Sequence, residues 1–197
     1  MQHPFLVGIT GGIGSGKSTL SDLLRKEGYL VYDSDKEARN LQNENQDIRQ
    51  KIQKLFGNDI YNSDGLNRKE VAKIVFNDKQ MLAQLNAIIH PEVRADFNRW
   101  VKNHDNNKIL FLESAILFEN GFNQLVDKVI VITAKEETRI LRVVKRDKVS
   151  PEQVLARIAN QLPEEVKIKR ANFVIHTDDD RPLLEKMKLI FQQLNPA

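Results

Sequence analysis

The chain contains no cysteine. That excludes disulfides, zinc–thiolate sites and thiol catalysis, and it is compatible with a reducing compartment. Charge of one sign is also lacking: 30 basic and 27 acidic residues leave a formal net charge of +3. A surface so balanced does not imply a nucleic-acid partner, although it leaves room for a local basic cleft that takes anionic substrates. Aromatic residues make up 7% of the chain, with a single Trp. No concentrated basic stripe or aromatic-interleaved motif is present, which again argues against nucleic acid. No apolar run approaches the roughly 20 residues of a membrane span. Pro4 interrupts the N-terminal region, and the apolar run behind it is too short for an export signal. A cytoplasmic protein is expected, with no membrane association and no obligate protein partner. There is no internal repeat, linker or low-complexity tract.

What is present is an ordinary globular composition, 41% hydrophobic and 29% charged over 197 residues. That length supports one substantial core and a single domain with insertions. Its most informative stretch is Gly11-Gly12-Ile13-Gly14-Ser15-Gly16-Lys17-Ser18-Thr19, directly after the apolar run Phe5–Ile9. Gly11, Gly16, Lys17 and Ser18 satisfy G-x-x-x-x-G-K-[ST], a spacing that turns successive backbone N–H groups toward one phosphate. A lysine in this place reaches the β- and γ-phosphates, and the hydroxyl after it can ligate Mg²⁺. A helix opening near Lys17 adds its positive end. Leu20, Leu23 and Leu24 then recur at helical spacing up to Gly28, a natural stop.

Apolar runs at Phe5–Ile9, Tyr29–Tyr32, Ile109–Leu112 and Val129–Ile132, with Phe173-Val174-Ile175 as a fifth, alternate with helical patterns. This predicts an α/β protein, a parallel five-stranded sheet in a three-layer phosphate-loop fold. Ligands on such a sheet bind beyond the carboxyl ends of the strands. Between the second and third runs the chain carries more helix than one crossover needs. Its apolar stripes are Ile48/Ile52/Leu55/Phe56, Val71/Ile74/Val75, Leu82/Leu85/Ile88/Ile89 and Val93/Phe97/Trp100/Val101. The last is expected to start with Pro91 at the first helical position, leaving His90-Pro91 between two helices. The excess predicts a helical insertion over the acceptor end of the cleft. Residues 135–170 form a second unusual segment, charged and helical, with a capping-box start at Ser150-Pro151-Glu152-Gln153. An acidic turn, Asp178-Asp179-Asp180, precedes a final helix with Leu183, Leu184, Met187, Ile190, Phe191 and Leu194.

Several residues can carry chemistry. Asp33 and Asp35 follow the second strand, at the ligand edge. A carboxylate there can deprotonate an acceptor hydroxyl or support Mg²⁺ through water. Asp33 is the functional candidate, and Asp35 a helix cap or outer-shell group. Glu113 ends the strand Ile109–Leu112 as a metal-supporting acid would. Glu119 either binds substrate or caps a surface helix. Arg142 and Arg146 lie four apart on one helix face and can neutralise phosphoryl oxygens from a mobile lid; the alternative is a solvated basic face. His90 and Arg94, one helical turn apart, can face one anionic group.

With those residues in view, the chain resembles the dephospho-coenzyme A kinase family. Thr10 to Ser18 is similar to that family's version of the phosphate loop. Asp33-Ser34-Asp35 with Ala38-Arg39, Leu66-Asn67-Arg68 with Val75-Phe76, and His90-Pro91 with Arg94 match its later motifs in order. So do Leu117-Phe118-Glu119, Arg142 with Arg146-Asp147, Arg157 with Gln161, and Ala171 to Ile175. Ala115, Glu113, Ser34, Asn172 and His176-Thr177 depart from the family pattern. The resemblance implies ATP-dependent phosphorylation of the ribose 3′-hydroxyl of dephospho-coenzyme A, with ATP and Mg²⁺. It implies Asp33 as base, Lys17 and the loop Gly11–Thr19 on ATP, and Arg142 and Arg146 as lid arginines on its phosphates. Arg39, His90, Arg94 and Glu119 fall to the acceptor, and Ser18 to the metal, with help from Asp33 or Glu113. It divides one kinase domain into a nucleotide core (about 1–35, 106–134 and 171–197), an acceptor-binding insertion (about 36–105) and a lid (about 135–170). Competing readings are another small phosphate-loop kinase and a nucleotide-dependent switch ATPase. The first lacks the Arg39, His90-Pro91 and long-insertion set; the second predicts a partner tail that the chain does not carry.

Overall fold

The computed structural model describes residues 3–76, 78–179 and 181–194; Asp180 of the acidic turn lies outside the described residues. The chain divides into two units, Met1–Asp33 with Asn103–Ala197, and Ser34–Lys102.

The first unit starts on the sheet. β1 (Phe5–Thr10) runs into the glycine loop, α1 (Lys17–Lys26) follows, and β2 (Leu30–Asp33) completes a β–α–β step. α1 buries Leu20 and Leu24, one turn apart. It stops at Gly28, whose φ of +88° continues the chain out of the helix.

The helical unit then consists of α2 (Ser34–Glu44), α3 (Gln46–Phe56), a short hairpin of β3 (Tyr61–Asn62) and β4 (Gly65–Leu66), α4 (Arg68–Phe76) and α5 (Lys79–Asn103). Asn45 caps α3 by accepting the Ile48 N–H at 3.1 Å. Two expectations are corrected here. Residues on either side of Pro91 form one helix, not two: α5 runs straight through the proline. Leu85, Ile89, Val93, Phe97 and Val101 are all buried at four-residue spacing along it. An interior proline costs about 3 kcal/mol, while each large apolar side chain buried contributes about 1.5–3 kcal/mol. The continuous stripe therefore prevails. Helix α2 begins at Ser34, so Asp35 sits in its first turn and is not its cap; a carboxylate there is favoured by the helix dipole.

The chain returns to the sheet with β5 (Ile109–Glu113), β6 (Lys128–Thr133), α6 (Glu136–Asp147), α7 (Pro151–Ala159), α8 (Glu164–Arg170), β7 (Phe173–His176) and α9 (Leu183–Phe191). The expected parallel five-stranded sheet is present, in the order β2-β5-β1-β6-β7. The crossover from β1 leads to one edge, and the crossover from β5 passes β1 to the other side. Such a reversal opens a crevice at the carboxyl ends of the strands, where β1 delivers the glycine loop.

Alternation along β1 fills both faces. Val7 and Ile9 pack with Phe111, Ile130, Ile132 and Ile175 against Leu20 and Leu24 of α1 and Met187 and Ile190 of α9. Gly8 points the other way, and a Cβ on it would lie 2.9 Å from Leu117 and 3.1 Å from Val126. Tyr29 stacks on Phe191 at 4.9 Å and meets Phe111 edge-on at 5.6 Å, closing the first core. The capping box at Ser150 forms as expected. No helix among the described residues is long and apolar enough to cross a membrane.

Phe111→Ala should cost about 3–5 kcal/mol, because its ring is fully buried edge-on against the stacked Tyr29 and Phe191. Urea denaturation should show a lower midpoint at unchanged slope; an unshifted midpoint would mean that this aromatic group does not hold the core.

Candidate active site

Gly16 sets the start of α1. Its φ of +103° is left-handed, a conformation glycine takes without strain. The turn places Lys17, Ser18 and Thr19 in the first helical turn, with Ser18 and Thr19 exposed. Lys17 Nζ folds back to donate to the carbonyls of Gly11 and Gly12 at 2.9 and 3.2 Å. The far side of the loop is held from the end of β7. Thr177 Oγ1 donates to Ser15 O at 2.9 Å, and the Thr177 N–H donates to Thr133 O at 2.9 Å.

Arg142, on α6, reaches the same point. Its Nη1 donates to Thr177 Oγ1 at 2.8 Å and to Gly14 O at 3.4 Å, and its Nη2 donates to Thr177 O at 2.7 Å. Arg146 does not join it. Its side chain is 59% exposed and pairs with Asp147 at 2.7 Å, which also takes Arg157 at 2.9 Å. The bond from Arg146, with Arg157 beside it, holds the Asp147 carboxyl below its ordinary range. Arg139 has the opposite fate: it is 4% exposed and lies against Gly12. Beside the loop, Gly16, Thr19, Arg142, Thr177, Arg181 and Leu183 line a cavity of about 350 Å³ that Asp179 and Lys186 complete. Lys186 donates to the His176 carbonyl and to Asp179 there.

Acids occupy the neighbouring strand ends. Asp33 closes β2 and Glu113 closes β5, and the two are register partners. Glu113 is 7% exposed, and its Oε2 has no hydrogen-bond partner among the described residues. Burial pushes its carboxyl up, and the Asp33 charge adds to the rise. Ser21, Lys17 and Arg25 pull the other way, although Ser21 Oγ is itself outside hydrogen-bonding geometry. Among the described residues no three His, Asp or Glu side chains form a protein-only metal cage. A hydroxyl on Ser18 and a partnerless buried carboxylate oxygen do fit Mg²⁺. That ion takes one or two protein oxygens and completes its shell with water and substrate phosphates.

Glu119 lies at the base of the 135–170 segment. Its Oε1 accepts from Leu162 N–H at 2.8 Å and pairs at 3.1 Å with Lys167, which is fully buried and also donates to Ala115 O at 3.2 Å. An acceptor contact through Glu119 has to compete with this pair. Asn172, another departure from the family pattern, pins the start of β7 by accepting the Val129 N–H at 2.8 Å.

In the helical unit, Arg39 is exposed on α2. Arg68 donates to the Arg39 carbonyl at 3.1 Å and to Gln42 Oε1 at 2.7 Å. Burial and then the Arg39 charge lower the pKa of Arg68, so two like charges stand together where an anion would relieve them. Tyr61 underlies this corner, donating to Gln42 O at 2.7 Å with Arg49 over its ring. His90 and Arg94 are half-buried one turn apart on α5. Burial and then Arg94 push the His90 pKa down. Thr177, Arg68, Arg139 and Lys186 were not among the site residues expected from sequence. Arg68 lay within a matched motif, Thr177 at a departure from the family pattern and Arg139 within the basic run; Lys186 carried no such signal.

The family profile described as dephospho-CoA kinase matches residues 5–182. The chain belongs to the dephospho-CoA kinase family. This family member is 39% identical over 193 residues to the dephospho-CoA kinase of Bacteroides fragilis, covering 96% of this chain and 94% of that one. A Thermus thermophilus protein of known structure superposes with a TM-score of 0.85 at 35% identity, over 98% of this chain and all of that one. The dephospho-CoA kinase from Campylobacter jejuni gives 0.67 at 29% identity, over 95% and 96% of the two chains.

Two outcomes follow from the geometry. Arg142→Ala should lower kcat/KM for ATP by about 10²-fold, the usual loss of one preorganised donor, and Arg146→Ala by less; steady-state kinetics giving the reverse order would place Arg146 on the nucleotide. His90 has its pKa depressed on folding, so the native state binds fewer protons than the unfolded one as pH falls below the ordinary histidine range. Its contribution is fully present above that range and is lost as pH drops through the folded pKa. His90→Asn should flatten the acid side of the Tm–pH profile below about pH 6.5; a profile parallel to that of the parent would count against it.

Proposed function

We propose that this chain transfers the γ-phosphoryl group of ATP to the 3′-hydroxyl of dephospho-coenzyme A, giving coenzyme A and ADP, the last step of coenzyme A synthesis. The observation that carries the chemistry is the placing of Asp33 beside Glu113 at the strand ends that flank the phosphate loop; family membership supplies the substrate.

In this reading the backbone of Gly11–Thr19 holds the ATP phosphates, and the cavity beside Gly16 takes the nucleoside end. Lys17 leaves the Gly11 and Gly12 carbonyls to meet the β- and γ-phosphates. Asp33 orients the acceptor hydroxyl and takes its proton as the phosphoryl group moves. The transition state spreads charge over the phosphoryl oxygens, and Lys17 and Arg142 neutralise it. Arg146 joins only by exchanging Asp147 for a phosphate, as a lid arginine of the 135–170 segment would. Ser18, with Asp33 or Glu113 through water, would hold Mg²⁺, whose charge offsets that of the phosphates. Arg39, His90 and Arg94 are the proposed acceptor contacts, and Glu119 a further one. The absence of cysteine and of a membrane-crossing helix among the described residues supports placing the reaction in the cytoplasm. No nucleic acid, membrane or protein partner is needed for it.

A coupled ADP-release assay tests the reading, with dephospho-coenzyme A, AMP, adenosine and shikimate as acceptors and mass measurement of the product. Dephospho-coenzyme A should be preferred and gain one phosphate at the 3′ position. A large acceptor offers remote contacts that orient one hydroxyl. Turnover of a small acceptor with none of dephospho-coenzyme A would overturn the assignment. Asp33→Asn should lower kcat by about 10²-fold or more with a smaller effect on ATP binding; a collapse of ATP binding would make Asp33 a metal-side group instead.

A further inference from the structure

The phosphate loop is gripped from outside at three successive residues. At Gly12, an added Cβ would lie 2.1 Å from Arg139 Nη1 and 2.6 Å from Glu164 Oε2, so this ion pair packs directly on the loop backbone. The next residue, Ile13, donates its N–H to Gln161 Oε1 at 3.0 Å. At Gly14, a Cβ would lie 2.4 Å from the Arg139 carbonyl, and Arg142 Nη1 reaches the Gly14 oxygen at 3.4 Å. The grip comes from α6, from the turn between α7 and α8, and from α8.

Stability alone does not account for the pair. Arg139 Nη1 and Glu164 Oε2 are 3.4 Å apart, and the second partner, Glu136, is at 3.7 Å. Charge-assisted bonds of good geometry are about 2.7–2.9 Å. Arg139 Nε and Glu164 Oε1 are buried with no partner among the described residues. A buried pair of this quality contributes little beyond what a well-packed apolar pair would. What an apolar pair cannot do is fix the direction of the groups it replaces. The planar guanidinium holds the first residue of α8 over Gly12, and the Gln161 amide fixes the orientation of one loop N–H. Glu164 is also an acid beside a phosphate-binding loop, tolerable there only while Arg139 neutralises it.

We infer that Arg139, Glu164 and Gln161 are positioning residues for phosphoryl transfer. They hold Gly12 and Ile13 in the backbone arrangement that aims the rest of the loop at the phosphates, and they couple that arrangement to the placement of residues 135–170. The inference rests on the transferase reading above. The gripping residues touch no reacting atom; they act through the loop.

The test uses the full chain with Arg139→Met, Glu164→Leu, the double variant, Gln161→Met and Gln161→Glu. Thermal midpoints, kcat, the KM for ATP and hydrogen exchange over residues 10–16 are measured. Each single change leaves one charge of the pair without its partner against the loop, so Tm and kcat should both fall, and Arg139→Met should raise the KM for ATP most. The double variant should regain most of the Tm, while its kcat stays about 10-fold or more below the parent, since a misplacement of about 1 Å can cost 10²-fold. Recovery of kcat together with Tm overturns the inference and makes the pair a structural support. Gln161→Met keeps size without an acceptor. It should leave Tm within about 2 °C, speed exchange at the Ile13 amide and lower kcat about 10-fold; Gln161→Glu, which keeps the acceptor, should keep the protection. Parent-like exchange in Gln161→Met overturns the inference even if the pair variants do not fold. If the parent does not phosphorylate dephospho-coenzyme A, the functional reading fails on its own, and the exchange comparison still decides whether the grip exists.

Discussion

The end of β1 is the constraint on which the rest of the site depends. β1 is paired on one side with β5 and on the other with β6, so the backbone leaving Thr10 starts from a fixed place and direction. The left-handed turn at Gly16 then opens α1 within a few residues. The backbone N–H groups and the helix end that the loop offers are both set by those two features, and Lys17 adds its ammonium to them. The Lys17 ammonium rests on two carbonyls of the same loop, so in the proposed reaction it starts beside the phosphates it would neutralise.

The same sheet places the opposite charge next door. Asp33 and Glu113 end strands on one side of β1, in register with each other, while Thr177 and Arg142 belong to the loop's other flank. A transfer reaction needs this division: a proton acceptor on the side of the attacking hydroxyl, and cationic or N–H donors where phosphoryl charge develops. Glu113 shows the cost of the arrangement. Buried and adjacent to Asp33, its carboxyl is pushed toward the protonated form, and the nearby charges of Lys17 and Arg25 offset part of that. A cation at the site would offset the charge beside Glu113, which is the electrostatic argument for the proposed Mg²⁺.

Much of this was legible in the sequence because it was written in local chemistry. Strands β1, β5 and β6 are apolar runs with few alternatives, Gly28 and the Ser150 capping box are helix punctuation, and the phosphate loop is a spacing. Long-range competition was less legible. Pro91 reads as a helix start, and only the burial of Val93, Phe97 and Val101 on the same stripe as Leu85 and Ile89 carries α5 through it. The β3–β4 hairpin has two residues per strand, too few for any alternation to register. Glu119 and Lys167 are 48 positions apart in the sequence and look like two surface charges; the turn at Leu162 brings a fully buried Lys167 onto Glu119, which keeps some exposure. Thr177 looked like a departure from a family pattern, and its hydroxyl proves to bridge Arg142 and the Ser15 carbonyl.

The basic run on α6 shows why composition cannot rank such residues. Arg139, Arg142 and Arg146 are chemically the same, and their spacings of three and four put them near one helix face. Along the axis, however, Arg142 and Arg146 are about 6 Å apart, and Arg139 lies about 4.5 Å on the other side of Arg142. The loop covers only part of that span. Arg139 meets Gly12 and is buried, Arg142 meets Gly14 and Thr177 at the rim, and Arg146 lies beyond the loop and takes Asp147. A partly exposed pair of that kind is worth about 0–1 kcal/mol, so in the proposed reaction Arg146 would exchange Asp147 for a phosphate at little cost. Displacing Arg139, itself 4% exposed, would leave the Glu164 carboxylate without its partner against the loop and is far harder. One helix thus carries a fixed support, a rim contact and a releasable charge, and the distance of each from the loop sets which it is.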